Sequence, residues 1–220
     1  MLAHREIEAY RGQGFLLIEN ALTERELAAI RDAAVSLVEA SRSLSASDSA
    51  IELENGHSSA CPRVRRIKQA HKQHPAFAKL CGSPSILEPV RSLIGHHLRL
   101  IGSKVNIKAA RTGASVEWHQ DWAFYPHTNE DVLAVGILLD KVTEDNAPLL
   151  LMPGSHHGPI YDHTANGMFA GGFDPRVQEL DVGGAVAFTG LPGSISIHHA
   201  RLVHGSAINR SERDRCMLFI

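Results

Sequence analysis

Hydrophobic periodicity changes once along this chain, and that change limits the possible folds more than any other feature. Up to Gly95 the apolar residues recur mainly at helical spacing. From His97 onward they tend to alternate with period two, in short runs broken by turn residues. In the first part, residues 2–12 read as a short helix and residues 14–20 as a buried strand. Thr23 and Glu26 make a capping box, and Leu27, Ile30, Ala34, Leu37 and Val38 line one face of the helix behind it, which runs to about Ala40. Residues 75–80 read as a short helix. Ser83 and Pro84 open another, with serine as N-cap and proline at the first helical position; Ile86, Leu87, Val90, Leu93 and Ile94 form its apolar face, and Gly95 ends it. Residues 98–101, 104–108, 115–122, 131–140, 148–152, 183–188, 194–198 and 215–220 are strand-like. Many short strands with turn punctuation imply a sandwich or barrel. Helices gathered before them fit a mainly β fold with an α-helical cover: an antiparallel double-stranded β-helix, the jelly roll used by cupins. No repeat or linker divides the sequence, so one domain is expected over residues 1–220, helical over 1–96 and jelly-roll over 97–220.

Composition narrows the function classes. A net charge of -2 leaves no basic footprint, so nucleic acid is not an expected partner. No apolar stretch reaches membrane-spanning length, and the early charges around Arg5 and Glu6 do not suit a signal peptide. Cys61, Cys81 and Cys216 are widely spaced and odd in number, which argues against a disulfide framework and fits a reducing, cytoplasmic setting. Residues 41–62 change character. The serine-rich stretch 41–49 has no period and is expected to be a mobile loop, either a connector or a lid over a pocket. Arg63, Arg65, Arg66 and Lys68 follow. They read as a solvated basic face, or else Arg63 or Arg66 holds an anionic group on a small-molecule substrate.

The chemistry centres on Trp118-His119-Gln120-Asp121-Trp122. Side chains alternate along an extended segment, so His119 and Asp121 point the same way and one imidazole converges with one carboxylate. A metal would need a third donor, and His204 in the C-terminal part offers one. Two histidines and one carboxylate are the facial ligand set of non-haem Fe(II) oxygenases, which leaves the opposite face open. Taken alone, a His-x-Asp spacing is a weak signal, because most such triplets are surface or turn residues. Arg215 stands where it could clamp the carboxylate of a cosubstrate.

The company of these residues is more specific. Trp118-His119-Gln120-Asp121 is followed by Asp145-Asn146-Ala147-Pro148-Leu149, by Met152-Pro153-Gly154-Ser155-His156, by the run His204-Gly205-Ser206-Ala207-Ile208-Asn209-Arg210-Ser211, and by Arg215. In this order and spacing the sequence resembles the phytanoyl-CoA dioxygenase family of Fe(II)/2-oxoglutarate-dependent oxygenases over residues 118–215, and more loosely before them. The resemblance implies iron ligation by His119, Asp121 and His204, and a pair between Arg215 and the distal carboxylate of 2-oxoglutarate. It also places Ser206 and Gln120 near the cosubstrate, with Lys104 and Asn106 as weaker candidates. The implied reaction consumes O2 and 2-oxoglutarate, releases succinate and CO2, and hydroxylates an unactivated C–H bond. Halogenating relatives carry a small residue in place of the carboxylate, so Asp121 favours hydroxylation. The same ligand set also serves desaturation, epimerisation or cyclisation, and a non-catalytic jelly-roll protein that binds a metal or ligand is a third reading.

Substrate residues are the thinnest part. Trp122, Phe124 and Tyr125 are candidates to wall the pocket. Of His198 and His199, adjacent on a strand, at most one can face it. His156, His157 and His163 read as surface or turn residues. Residues 167–172 read as a flexible loop near the pocket mouth. The final run from Cys216 reads as a strand still in progress at Ile220, where family members usually continue, so either a short tail or a truncated chain is expected.

Overall fold

The structure, a computed structural model, describes residues 1–220. Helix α1 (His4–Gln13) stops at Gly14, whose φ of +83° suits glycine. A side chain there would also strike the His156 ring, because an added Cβ would sit 2.4 Å from Nδ1. The turn delivers the chain into β1 (Phe15–Ile18). Helix α2 (Glu24–Ala40) carries the expected capping box: the Glu26 amide donates to Thr23 Oγ1, and the Thr23 amide donates to the Glu26 carboxylate. There follow β2 (Ile51–Leu53), β3 (Val64–Lys68), α3 (Ala70–Gln73), α4 (Pro75–Cys81) and α5 (Pro84–Ile94). The remaining strands are β4 (Lys104–Lys108), β5 (Val116–His119), β6 (Leu133–Leu138), β7 (Leu149–Leu151), β8 (Thr164–Ala165), β9 (Met168–Phe169), β10 (Val186–Phe188), β11 (Ile195–His199), β12 (His204–Ser206) and β13 (Arg215–Phe219).

Two antiparallel sheets form the jelly roll. The larger has seven strands in the order β1-β11-β6-β13-β4-β3-β2, and the smaller has four in the order β10-β7-β12-β5. Strands β8 and β9 make a separate hairpin. Three strands of the larger sheet, β1 to β3, come from the part of the chain before residue 96, so the helical and strand-rich parts share one sheet.

The larger sheet has two very different faces, as period-two alternation allows. On one face Ile67, Val105, Val135, Ile137, Ile195, Ile197 and Leu218 are buried. They join Ile30, Ala33 and Ala34 of α2, Phe77 and Leu80 of α4, and Ile86 and Val90 of α5 in a core of 21 residues. At about 1.5–3 kcal/mol per buried large apolar side chain, this face dominates the favourable term in folding. The alternate residues Arg66, Lys68, Lys104, Asn106, Lys108, Arg215 and His198 point the other way, towards the smaller sheet. A second core of eight residues, including Leu138, Leu149, Leu151, Phe188 and Met217, closes one end of the space between the sheets. The other end stays open as a cavity of about 790 Å³.

Several local expectations change. Residues 41–62 are not one structureless loop: a 3-10 turn, Ser41–Ser43, leads to β2, an edge strand paired with β3. At three residues, Ile51-Glu52-Leu53, that strand is too short to show an alternation. The basic run is β3 itself, paired on both sides by β2 and β4, not a free charged face. Residues 98–101 form no strand, and Leu100 and Ile101 are partly exposed. Ser83 sits at the N-cap of α5, but its hydroxyl makes no capping bond. The loop expected at 167–172 begins as the β8–β9 hairpin. No helix is long and apolar enough to cross a membrane.

Candidate metal and cosubstrate site

The smaller sheet builds one wall of the cavity. His119 on β5 stands directly opposite His204 on β12 in the antiparallel register. Directly opposed side chains lie close together, and these two rings have centroids 4.1 Å apart. Close approach of the strands depends on Gly205, where an added Cβ would meet the Val116 carbonyl oxygen at 3.1 Å. After His119 the backbone stays extended through Gln120, then enters the short 3-10 turn Asp121–Ala123. Asp121 therefore projects on the side of His119, two residues on. One donor atom from each of His119, Asp121 and His204 lies within 4.8 Å of the others.

The protonation of these groups suits a cation. His119 Nδ1 is 2.8 Å from the Glu117 carbonyl oxygen, and His204 Nδ1 is 2.9 Å from that of Leu202. A carbonyl oxygen only accepts, so each Nδ1 carries the hydrogen and each Nε2 is left with its lone pair facing the shared point. Burial pushes both imidazoles below the ordinary histidine value, keeping them neutral. Burial alone would raise Asp121, but the His198 imidazole beside it, and then the neighbouring His204 ring and Lys104 ammonium, outweigh it. The carboxyl is held well below its usual range. Two neutral imidazoles, each with its Nε2 lone pair free, and one ionised carboxylate fit a divalent transition metal such as Fe(II).

The opposite wall is cationic. Arg215 on β13 stands opposite Lys108 on β4. Both are buried, at 2% and 5% exposure. Arg215 donates to the Ala147 carbonyl oxygen at 2.6 Å, and its Nε has no partner. Burial lowers the guanidinium to about 10. Lys108 donates to the Ala207 carbonyl oxygen. Burial first, then the charges of Arg215 and Arg65, lower it to about 7. Such a pair, with one arginine nitrogen unspent, can receive a carboxylate. Ser206 lies beside it on β12, two residues beyond His204 and on the same face. Nearer the mouth, Lys104, Lys68, Arg66 and Arg65 line the cavity with Asn106. Arg65 and Arg66 share the Glu52 carboxylate at 3.3 and 3.4 Å, and Arg66 also donates to Asn106 Oδ1. Lys104 is in no ion pair, and its ammonium rests 5.8 Å from the Phe219 ring centroid.

Not every expected residue reaches the cavity. Gln120 points away: its amide donates to the Pro159 and Arg201 carbonyl oxygens and accepts from the Tyr161 amide, so it is spent on loop structure. The alternation that pairs His119 with Asp121 turns Gln120 to the other face. Trp122 is turned away with it and sits near His127, whereas Phe124 and Tyr125 do line the cavity. Arg63 lies one residue before β3 and donates to Thr112 Oγ1, outside the cavity. His156 and His163 are buried and not surface residues. His163 Nε2 accepts from the Gln120 amide, and His156 bonds to the Arg11 carbonyl oxygen. His198 faces the cavity and His199 does not. Lys108, Arg65 and Lys68 had not stood out as cavity residues. Lys108 shares the period-two face of Lys104 and Asn106, which was the signal available for it.

The family described as phytanoyl-CoA dioxygenase (PhyH) matches residues 10–217. The chain is 34% identical, over 224 residues, to a probable alpha-ketoglutarate-dependent hypophosphite dioxygenase of Stutzerimonas stutzeri, covering 100% of this chain and 78% of that one. It is 31% identical over 190 residues to the L-proline trans-4-hydroxylase of Streptomyces griseoviridis, covering 77% and 69%. Among solved structures it resembles EctD from S. alaskensis, crystallised with 2-oxoglutarate and 5-hydroxyectoine. The TM-score is 0.82 at 25% identity, covering 99% of this chain and 74% of that one.

Proposed function

The chain belongs to the phytanoyl-CoA dioxygenase family and is an Fe(II)- and 2-oxoglutarate-dependent dioxygenase of a small molecule; from that premise we propose that His119, Asp121 and His204 ligate the iron, and that Arg215 with Lys108 receives the distal carboxylate of 2-oxoglutarate. The reaction we assign is hydroxylation, by residues 1–220 acting as one catalytic unit. The observation that carries it is the arrangement of the two walls: three convergent donors on the smaller sheet face an arginine–lysine pair on the larger sheet, across one cavity.

Iron, with 2-oxoglutarate and dioxygen, supplies the oxidising power: the keto acid leaves as succinate and CO2, and one oxygen atom goes to the substrate. The rest falls to the protein. The backbone carbonyls of Glu117 and Leu202 fix the tautomers of the two histidines. Arg215, itself held on Ala147, sets the position of the far end of 2-oxoglutarate. Ser206, on the smaller sheet two residues beyond His204, can donate its hydroxyl to a cosubstrate oxygen. Phe124, Val132, Leu133 and Ala200 wall the cavity with apolar surface and limit its water.

The substrate we propose is small and carries an anionic group, held by Lys104, Lys68 and Arg66. Two features support this. These cations are more than the Glu52 carboxylate neutralises, and they lie nearer the mouth than the Arg215–Lys108 pair. One relative is also named for hypophosphite, a small oxyanion. The test begins anaerobically: Fe(II) and then 2-oxoglutarate are added to the metal-free protein, and the weak visible band of a chelated keto acid is read. Succinate release is then measured with hypophosphite, proline and ectoine. The band should appear, and an anionic substrate should stimulate succinate release above the zwitterions. Iron binding without the band would sink the cosubstrate assignment, and stimulation by ectoine alone would sink the anionic substrate.

A further inference from the structure

One more imidazole stands at the candidate metal site. His198 lies on β11, opposite Ala134 of β6, and points into the cavity. It is 1% exposed, and neither ring nitrogen has a hydrogen-bond partner. Its Nε2 is 3.7 Å from Asp121 Oδ2, and its ring centroid is 4.6 Å from that of His204. Burying a polar ring without partners costs free energy, and an apolar ring of similar size would fill the space without that cost. An orphan this deeply buried and this close to a carboxylate calls for a role.

Two roles can be separated by geometry. A fourth ligand would need its donor atom among the mutually close set, and that set contains His119, Asp121 and His204 only. A hydrogen bond to Asp121 needs far less: a shift of a few tenths of an ångström brings 3.7 Å into range. Resting on the iron site proposed above, we infer that His198 is a positioning residue for Asp121: it donates Nε2–H to Oδ2 and so turns the other carboxylate oxygen towards the metal. Of the three ligands, the two histidines are already oriented by backbone carbonyls through Nδ1. Asp121 follows strand β5 in a short 3-10 turn, and no hydrogen bond from the backbone holds its carboxylate. His198 supplies the orienting partner that this ligand lacks. Outer partners of metal ligands commonly act in this way.

The test reads the metal directly. Co(II) affinity, by calorimetry and by visible d–d absorption, is compared for the parent protein, His198→Phe and His198→Gln. Phenylalanine keeps the volume and removes the donor; it should weaken binding by about 10–100-fold and alter the absorption band. Glutamine keeps an N–H donor and should restore most of the affinity. Should the phenylalanine variant fail to fold, His198→Leu takes its place. An apolar variant that binds Co(II) like the parent would overturn the inference. So would an equal loss in the apolar and glutamine variants, which would mean that space and not the hydrogen bond is what matters. A parent protein that holds no Co(II) would overturn the iron site itself, and His198's role with it.

Discussion

The two walls of the cavity solve opposite electrostatic problems. On the smaller sheet, His119 and His204 are buried and kept neutral, with their lone pairs fixed by backbone carbonyls. That wall is set for a cation before any cation arrives. On the larger sheet, Lys104, Lys108 and Arg215 present positive charge that the protein only partly answers: Lys104 is in no ion pair, and Arg215 and Lys108 bond only to uncharged carbonyl oxygens. That wall is complete only when an anion enters. A cation-binding wall can thus be preorganised by tautomers alone, while an anion-binding wall must carry the desolvation cost of its charges until the ligand comes.

The largest effect should come from breaking the first wall. His119→Ala or His204→Ala is expected to abolish succinate release at any 2-oxoglutarate concentration, while thermal unfolding remains one cooperative transition. An active variant at either position would show that the donor had been misassigned. Next is Arg215→Ala. Loss of hydrogen bonds to a charged group, about 1.5–3 kcal/mol, should raise the 2-oxoglutarate requirement by roughly 10–150-fold. Iron affinity should be unchanged. If iron affinity fell and the cosubstrate requirement held, the two walls would not be separate in function.

A smaller effect separates the ends of the second wall. Lys104 sits nearer the mouth and Arg215 deeper, with Lys108 opposite Arg215. Lys104→Met should weaken an anionic substrate by about 1 kcal/mol, some five-fold in KM. The 2-oxoglutarate KM should stay as it was. An equal change in both would mean that one anion site serves both molecules.

The first wall was legible in the sequence, and the second only in part. His119 and Asp121 are two apart, and His204 sits in a distinctive His-Gly-Ser run, so local spacing and family likeness both pointed to them. Arg215 came from the same likeness. Lys108 was missed because its meaning depends on register: only when β4 pairs with β13 does it stand opposite Arg215. Arg65 and Lys68 read as part of a surface charge run, with Arg66 alone among the three also offered for an anionic group and found lining the cavity, because nothing local indicates that residues 64–68 are a strand flanked on both sides. Gln120 was drawn into the site by the family likeness and Trp122 by its place after the ligand, yet alternation turns Gln120 to the opposite face and Trp122 lies in the 3-10 turn beyond it. His198 was half legible, since alternation allowed one of the two adjacent histidines to face inward without saying which.

The last effect is a pH dependence on the second wall. Lys108 in the ligand-free protein titrates at about 7, because burial and the neighbouring Arg215 and Arg65 disfavour its charge. An unburied lysine titrates near 10.4. The folded value lies below the unfolded one, so the cost of a charged Lys108 is fully present below pH about 7 and is relieved as pH rises towards the ordinary lysine value. A bound carboxylate reverses the balance, since it favours the charged form and raises the pKa in the complex. Above pH 7, binding 2-oxoglutarate must therefore draw a proton onto Lys108, and affinity should fall as pH rises from 7, by at most about ten-fold per pH unit. Calorimetry at pH 8 in two buffers of different ionisation heat reads this uptake as a difference in apparent binding enthalpy, approaching one proton per 2-oxoglutarate. Lys108→Met should remove both the uptake and the slope while leaving Arg215 to bind the cosubstrate more weakly. If the parent takes up no proton, Lys108 stays on the Ala207 carbonyl oxygen throughout, and Arg215 alone meets the carboxylate.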